Sequence, residues 1–448
     1  MINLLDYNLQ ELTTFVESLN EPKFRAKQLY LDILNGKDFS DTTVLPKAFL
    51  DKVSVAGAKF QAVKIHKTFT SKDKTIKFLF KLNDNNLIEG VLMQYKFGRT
   101  LCVSTQVGCK MNCAFCASGL NFVRNLTPGE ILGQITAVNA YLKGSVKDRA
   151  ITNIVLMGSG EPLDNYDNVI RFLRLVTSPS GERLDNFDNV VKFLKLATSD
   201  DGLNFSARNI TVSTCGLVTN IEKLADVGIP VTLAISLHAS NNNARREIMP
   251  ISKSYSIESV IEAAKYYHTV TNRRVIIEYS LIKGINDSME NARELSQLLE
   301  DLTCHVNLIR LNDVKERGLI GTPENKMNLF LKELLINGTS ATIRRSLGDD
   351  IEGACGQLRN KELNLETNTV QKVKTTAYIS KDIQSKSKQQ KSEKQFNNKK
   401  TGLNKSNNKN VDYKKTDKKG SNKNQHVKST RSQTFSKITK MNSKQKYR

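Results

Sequence analysis

The chain has 448 residues with 67 Lys and Arg against 45 Asp and Glu, a formal charge of +22 that favours nucleic acid or an anionic membrane surface as partner. No run of 18 apolar residues is present and Met1-Ile2-Asn3-Leu4-Leu5-Asp6 lacks a signal-peptide layout, so a cytoplasmic protein with no membrane partner is expected. Seven cysteines, an odd number with three clustered, argue against a disulfide scaffold and for metal or redox chemistry in a reducing compartment.

Residues 1–90 read as a small accessory module that binds RNA. Asn8–Leu12 and Phe24–Leu34 carry apolar residues at helical spacing, and Glu21-Pro22 supplies a start for the second helix. Its cations Lys23, Arg25 and Lys27 suit phosphates or simply a solvated face. Lys64–Phe69, Thr75–Phe80 and Leu87–Met93 read as strands, the last two joined by the turn Asn83–Asn86.

From Thr100 to Arg344 strands alternate with helices: Leu101–Ser104, Asn153–Met157, Ile210–Thr214, Val231–Leu237, Val275–Tyr279 and His305–Ile309. Such alternation predicts a parallel sheet closed or partly closed into a barrel, with chemistry at the C-terminal strand ends. Thr127 and Glu130 form a predicted capping box. Asp164–Leu175 nearly repeats as Asp185–Leu196, an offset of 21 residues, and reads as a tandem duplication adding one structural helix. Residues 375–448 are rich in Lys, Asn, Ser and Gln and are expected to be disordered. Residues 381–448 hold 21 Lys and Arg against 4 Asp and Glu, suited to non-specific contact with RNA backbones.

Cys109, Cys113 and Cys116 stand at C-x3-C-x2-C spacing in the loop after the first barrel strand. Three soft thiolates suit zinc or an iron–sulfur cluster, and the loop supplies no fourth Cys or His. On a four-iron cluster that leaves one iron open, which suits catalysis. Gly158-Ser159-Gly160-Glu161-Pro162, at the end of the next strand, leaves backbone free to approach a small polar ligand beside a carboxylate.

This pairing of cysteine loop and glycine turn resembles the radical S-adenosylmethionine (SAM) superfamily. That resemblance implies a partial (β/α)6 barrel over residues 91–365, a [4Fe-4S] cluster on Cys109, Cys113 and Cys116, and SAM on the open iron. Leu101–Cys109, Arg124–Thr127, Ser236–Ala239 and Gly353–Leu358 narrow it to the RlmN/Cfr family of RNA adenine methyltransferases, over about residues 5–365. The family pattern implies SAM contacts at Gly160, Glu161, Ser213, Ser236, Leu237, His238 and Asn312, with Phe115 near the adenine. The segment Asn307–Asp313 lacks both prolines usual around Asn312, and the helix after Pro22 lacks the Trp often seen there.

Carbon 2 of adenine is an electron-poor amidine carbon that cannot attack a sulfonium methyl, so a radical route is needed. The resemblance implies that Cys355 takes a methyl from one SAM and that a second SAM yields the radical that activates it. Glu89 then accepts the ring proton and Cys102 releases the product through a transient disulfide with Cys355. It also implies 23S rRNA near the peptidyl transferase centre and adenine 37 of tRNA as substrates, a donor of flavodoxin or ferredoxin type, and a monomer. Two alternatives stand beside this: Cfr-type methylation of carbon 8, and a non-catalytic RNA-binding protein with a structural metal. Cys215 and Cys304 read as small buried apolar residues.

Overall fold

The strands that alternate with helices in the sequence assemble into one ten-stranded sheet. The computed structural model describes residues 2–165, 203, 205–311 and 317–351, all within a unit spanning residues 1–372. The duplicated stretch from residue 166, the loop carrying Asn312, the segment carrying Cys355 and the basic tail lie outside the described residues.

β1 (Ile2–Asn3) pairs in parallel with β2 (Ala58–Lys59), and between them lie α1 (Leu9–Ser18), α2 (Phe24–Leu34) and α3 (Lys47–Val55). A capping box formed by Asn8 and Glu11 starts α1. Lys23 pairs with Glu17 at 3.3 Å on the exposed surface, while Arg25 lies over the Phe24 ring. The antiparallel meander β3 (Val63–Thr70), β4 (Ile76–Leu82), β5 (Leu87–Tyr95) and β6 (Gly98–Val103) follows. A two-residue ladder, β7 (Gln106–Val107) with β8 (Arg124–Asn125), closes the base of the cysteine loop. Beyond it come α4 (Pro128–Tyr141) and β9 (Asn153–Leu156), then β10 (Ile210–Thr214), α5 (Val218–Asp226) and β11 (Thr232–Ser236). The rest comprises α6 (Asn242–Ile248), α7 (Ile257–Thr271), β12 (Val275–Leu281), α8 (Met289–Leu298), β13 (Cys304–Arg310), α9 (Glu324–Ile336) and β14 (Ala341–Ile343).

The sheet order is β14-β13-β12-β11-β10-β9-β6-β5-β4-β3. From β6 to β14 all neighbours are parallel and follow chain order, as in a (β/α) barrel. β14 adds a seventh parallel strand to the six expected, and no ladder among the described residues closes the sheet. The meander continues the same sheet beyond β6 rather than standing apart. Its apolar face, Phe78, Phe80, Ile88, Leu92 and Leu101, joins one core with Leu12, Leu29, Ile33 and Phe49 of the N-terminal helices and Ile131, Ile135 and Val138 of α4. Each such side chain contributes about 1.5–3 kcal/mol of burial. The opposite face, with Val91, Met93 and Cys102, is left for the site. No helix among the described residues is long and apolar enough to cross a membrane.

Candidate active site

The cysteine loop is pinned at both ends. The Val123 N–H donates to the Val107 carbonyl at 2.8 Å, and a Cβ on Gly108 would lie 1.6 Å from the Asn121 carbonyl oxygen, so only glycine fits there. Arg124 holds Glu130 through two 2.7 Å hydrogen bonds and Asp84 through another, tying the capping box of α4 to the β4–β5 turn. The loop's middle rests on α6, where the Ala114 N–H donates to the Ile248 carbonyl at 2.8 Å.

Cys109, Cys113 and Cys116 thereby enter the wall of a cavity of about 330 Å³, together with Gly160, Glu161 and His238. Burial pushes the Cys109 thiol up to about 12, and the neighbouring Glu161 and Cys116 add to the shift. Cys113 is raised for the same reasons. Turning both into thiolates requires a strong cationic partner at the site, which a metal centre supplies.

Glu161 is buried, and both its oxygens are engaged. Oε1 accepts from the Leu163 N–H at 3.0 Å and Oε2 from the Cys215 N–H at 2.7 Å. Desolvation nevertheless raises its carboxyl to about 7. A buried, oriented carboxylate with that penalty complements an ammonium group. Gly160, at φ +109°, brings the turn so close to Gln106 that an added Cβ would lie 2.7 Å from the Gln106 Cβ.

His238 follows β11 at φ +55°. Its Nδ1 accepts from the Ser280 N–H at 2.9 Å, which assigns the proton of the neutral ring to Nε2. The ring meets Phe115 edge-on, centroids 4.6 Å apart. Ser213 and Ser236, at the ends of β10 and β11, line the same cavity. Leu237 does not: fully buried, it contributes its N–H to the Glu278 carbonyl at 3.1 Å.

Cys102 on β6 lines the same cavity beside Val91 and Met93, and its Sγ donates to the Gly158 carbonyl at 3.6 Å. Glu89 is on the same face of the sheet, two residues before Val91, which pairs with Cys102. It is buried in an ion pair with the equally buried Lys77 at 3.2 Å. The described cysteines are all free thiols, and Cys355 and Asn312 lie outside the described residues.

Several wall residues carried no assignment from sequence. Cys215, read as merely apolar, lines the cavity and orients Glu161 through its backbone. Glu278, a charge inside the apolar run of β12, leaves Oε2 without a hydrogen bond at the wall, while Oε1 accepts from Asn307 at 3.1 Å. Its position among buried apolar neighbours was the available signal. Arg344 to Leu347, after β14, form another part of the lining.

These residues fit an iron–sulfur centre with SAM. Three thiols supply the soft donors, Glu161 suits the ammonium of the methionine moiety, and Glu278, whose Oε2 stands 3.9 Å from Arg344 Nη1, adds a further carboxylate to the wall.

Two family patterns match the sequence: the N-terminal domain of ribosomal RNA large subunit methyltransferases over residues 2–54, and the radical SAM superfamily over residues 103–295. Members of that superfamily use a [4Fe-4S] cluster and SAM. A protein of Clostridium botulinum (strain Alaska E43 / Type E3), named "probable dual-specificity RNA methyltransferase RlmN", is 44% identical over 372 residues, covering 82% of this chain and 99% of its own. One of the same name from Lachnospira eligens is 42% identical over 364 residues, 81% of this chain and 97% of its own. The crystal structure of a radical SAM methyltransferase from Sphaerobacter thermophilus superposes with a TM-score of 0.71 at 37% identity, covering 80% of this chain and 99% of that one. With site geometry, length and sequence in agreement, the chain belongs to the RlmN family of radical SAM RNA methyltransferases.

Proposed function

We propose that this protein methylates carbon 2 of adenine in 23S rRNA near the peptidyl transferase centre and of adenine 37 in tRNA, using two SAM molecules per turnover. The observation that carries this is the placement of Cys102 in the same cavity as the three loop cysteines. A cluster held by the three loop cysteines needs no further thiol in the cavity, whereas release of a thioether-linked base does. Bound at the loop, cluster and SAM supply a hydrogen-abstracting carbon radical. Gly160, Glu161, Ser213, Ser236, His238 and, by motif, Leu237 and Asn312 hold SAM. Cys355 displaces a methyl from the sulfonium and presents it as a thioether. Glu89 accepts the proton lost from carbon 2, and Cys102 attacks the Cys355 sulfur to free the base, leaving a transient disulfide.

In this reading residues 1–90 are the RNA-binding accessory module, 91–365 the catalytic barrel and 375–448 a basic tail. The protein acts as a cytoplasmic monomer fed by flavodoxin or ferredoxin. RNA as substrate is supported by Tyr95 and Phe97, whose rings stack at 4.9 Å and 7°, with Phe97 70% exposed. Tyr95 packs beside Met93 and Cys102, so the pair offers bases a stacking surface leading to the cavity.

Mass analysis of RNA digests from a deletion strain tests the assignment. The expected loss is of 2-methyladenosine; loss of 8-methyladenosine alone would make the enzyme Cfr-type. Cys355→Ala should abolish methylation, and Cys102→Ala should accumulate an RNA–protein adduct after a single turnover. Efficient multiple turnover by either variant refutes its assigned role.

A further inference from the structure

Arg245 on α6 is one of the largest fully buried side chains, with no exposed surface. Its Nε donates to the Leu237 carbonyl at 3.3 Å and its Nη2 to the Cys215 carbonyl at 2.6 Å, while Nη1 has no hydrogen-bond partner. No carboxylate pairs with it among the described residues. An arginine stays protonated in a protein, so a full positive charge without an ionised partner stands against the backbone of Cys215, whose side chain packs in one apolar cluster with Cys113, Ile248 and Met249. Such a charge is costly unless something anionic offsets it. A 2+ cluster core on three thiolates is itself an anion, and it gains a further negative charge on reduction.

We infer that Arg245 is the buried counter-charge of the iron–sulfur centre, stabilising its reduced form from behind Cys113 and so raising its reduction potential. This rests on the assignment of Cys109, Cys113 and Cys116 to a cluster. The cation lies behind the wall and touches neither the transferred carbon nor the base. It tunes the centre through its charge.

The test uses full-length protein reconstituted anaerobically, with iron and sulfide analysis first; wild-type protein that bound no cluster would sink the cluster assignment itself, separately from Arg245. Midpoint potentials then come from redox titration followed by electron paramagnetic resonance for wild type, Arg245→Lys and Arg245→Gln. The Gln variant is expected to show at least a tenfold lower ratio of reduced to oxidised cluster at the wild-type midpoint, a shift of about 59 mV to more negative potential. The Lys variant should stay within threefold of wild type. A fully loaded Gln variant with the wild-type midpoint, or Lys and Gln shifted equally, overturns the inference. A second measurement covers poor folding. Without the cluster, Arg245→Met should melt at or above the wild-type temperature, because it removes an uncompensated charge; loaded, it should melt below. Equal losses in both forms mean that Arg245 only packs, and the inference fails.

Discussion

His238 shows how much a single buried ring is fixed by its neighbours. The Ser280 N–H on Nδ1 and the Asn286 side chain on its carbonyl, at 2.7 Å, hold the residue in its left-handed backbone conformation. Burial drives its pKa from 6.5 to about 3, with Arg245 adding to the shift. The folded value is depressed, so the neutral ring's contribution is fully present above pH 6.5 and is lost as pH falls towards 3. Each unit costs about 1.4 kcal/mol. Asn keeps an acceptor for the Ser280 N–H and tolerates positive φ. His238→Asn should therefore lose about 2 kcal/mol less than wild type between pH 6.5 and 5 in thermal or urea melts; parallel pH profiles would show that another group titrates. The buried Lys77–Glu89 pair makes a second residue-level prediction. Glu89→Gln removes the carboxylate that offsets the buried Lys77 ammonium and should cost about 3–5 kcal/mol of stability. Lys77→Met combined with Glu89→Gln should recover most of that without recovering methylation, provided Glu89 is the base. A double variant that regained turnover would limit Glu89 to its ion pair. The sequence marked Glu89 only through the family pattern, because a carboxylate in a strand otherwise reads as solvent-facing. Arg245 was still less visible: Asn242-Asn243-Ala244-Arg245-Arg246 does not distinguish the buried arginine from its exposed neighbour.

Among the elements, the barrel strands were legible because β-branched and apolar runs end in Ser or Thr, as in Ile210–Thr214 and Thr232–Ser236. β14 was not: three residues, Ala341–Ile343, give no period to read, and only the neighbouring β13 makes them a strand. α3 was also missed, since Lys47–Val55 starts after Pro46 without a side-chain cap. Nor did local pattern reveal that the β3–β4 turn reaches the segment just before Cys355. There the Asp73 carboxylate accepts from the Gly348 N–H at 2.9 Å, and Asp350 accepts from the Lys72 N–H at 3.2 Å and from the Ser71 hydroxyl. Burial works against ionisation of Asp73, but hydrogen bonds from Gly348, Thr75 and Ser71 hold it down at about 2. The turn therefore anchors the strand exit whose Arg344 to Leu347 line the cavity. Asp73→Ala frees the Gly348 N–H and should lower amide protection of residues 344–351 about tenfold in hydrogen exchange, with β9 to β12 unchanged. Uniform loss across the barrel would mean that the turn supports the whole sheet.

At the scale of the molecule, the described core and the densest run of positive charge fall in different parts of the sequence. The core that positions the site joins residues from Leu4 to Ala341, while 21 of the 67 Lys and Arg lie in residues 381–448. That separation was plain from composition, because a stretch with few apolar residues has little to bury. Removing residues 375–448 should leave the thermal midpoint of the remaining protein, and its cleavage of SAM without RNA, unchanged. Its affinity for an RNA hairpin should fall, and the slope of log affinity against log salt should flatten by about 0.7 for each single-stranded phosphate that the tail had neutralised. Methylation at low salt should survive, since a Lys-rich coil binds RNA backbones without selecting a base. If the truncated protein binds with the wild-type salt slope, the attraction belongs instead to the barrel and the N-terminal helices. Phe97→Ala then separates the two: stacking does not release counterions, so that variant should weaken binding about tenfold with the slope intact.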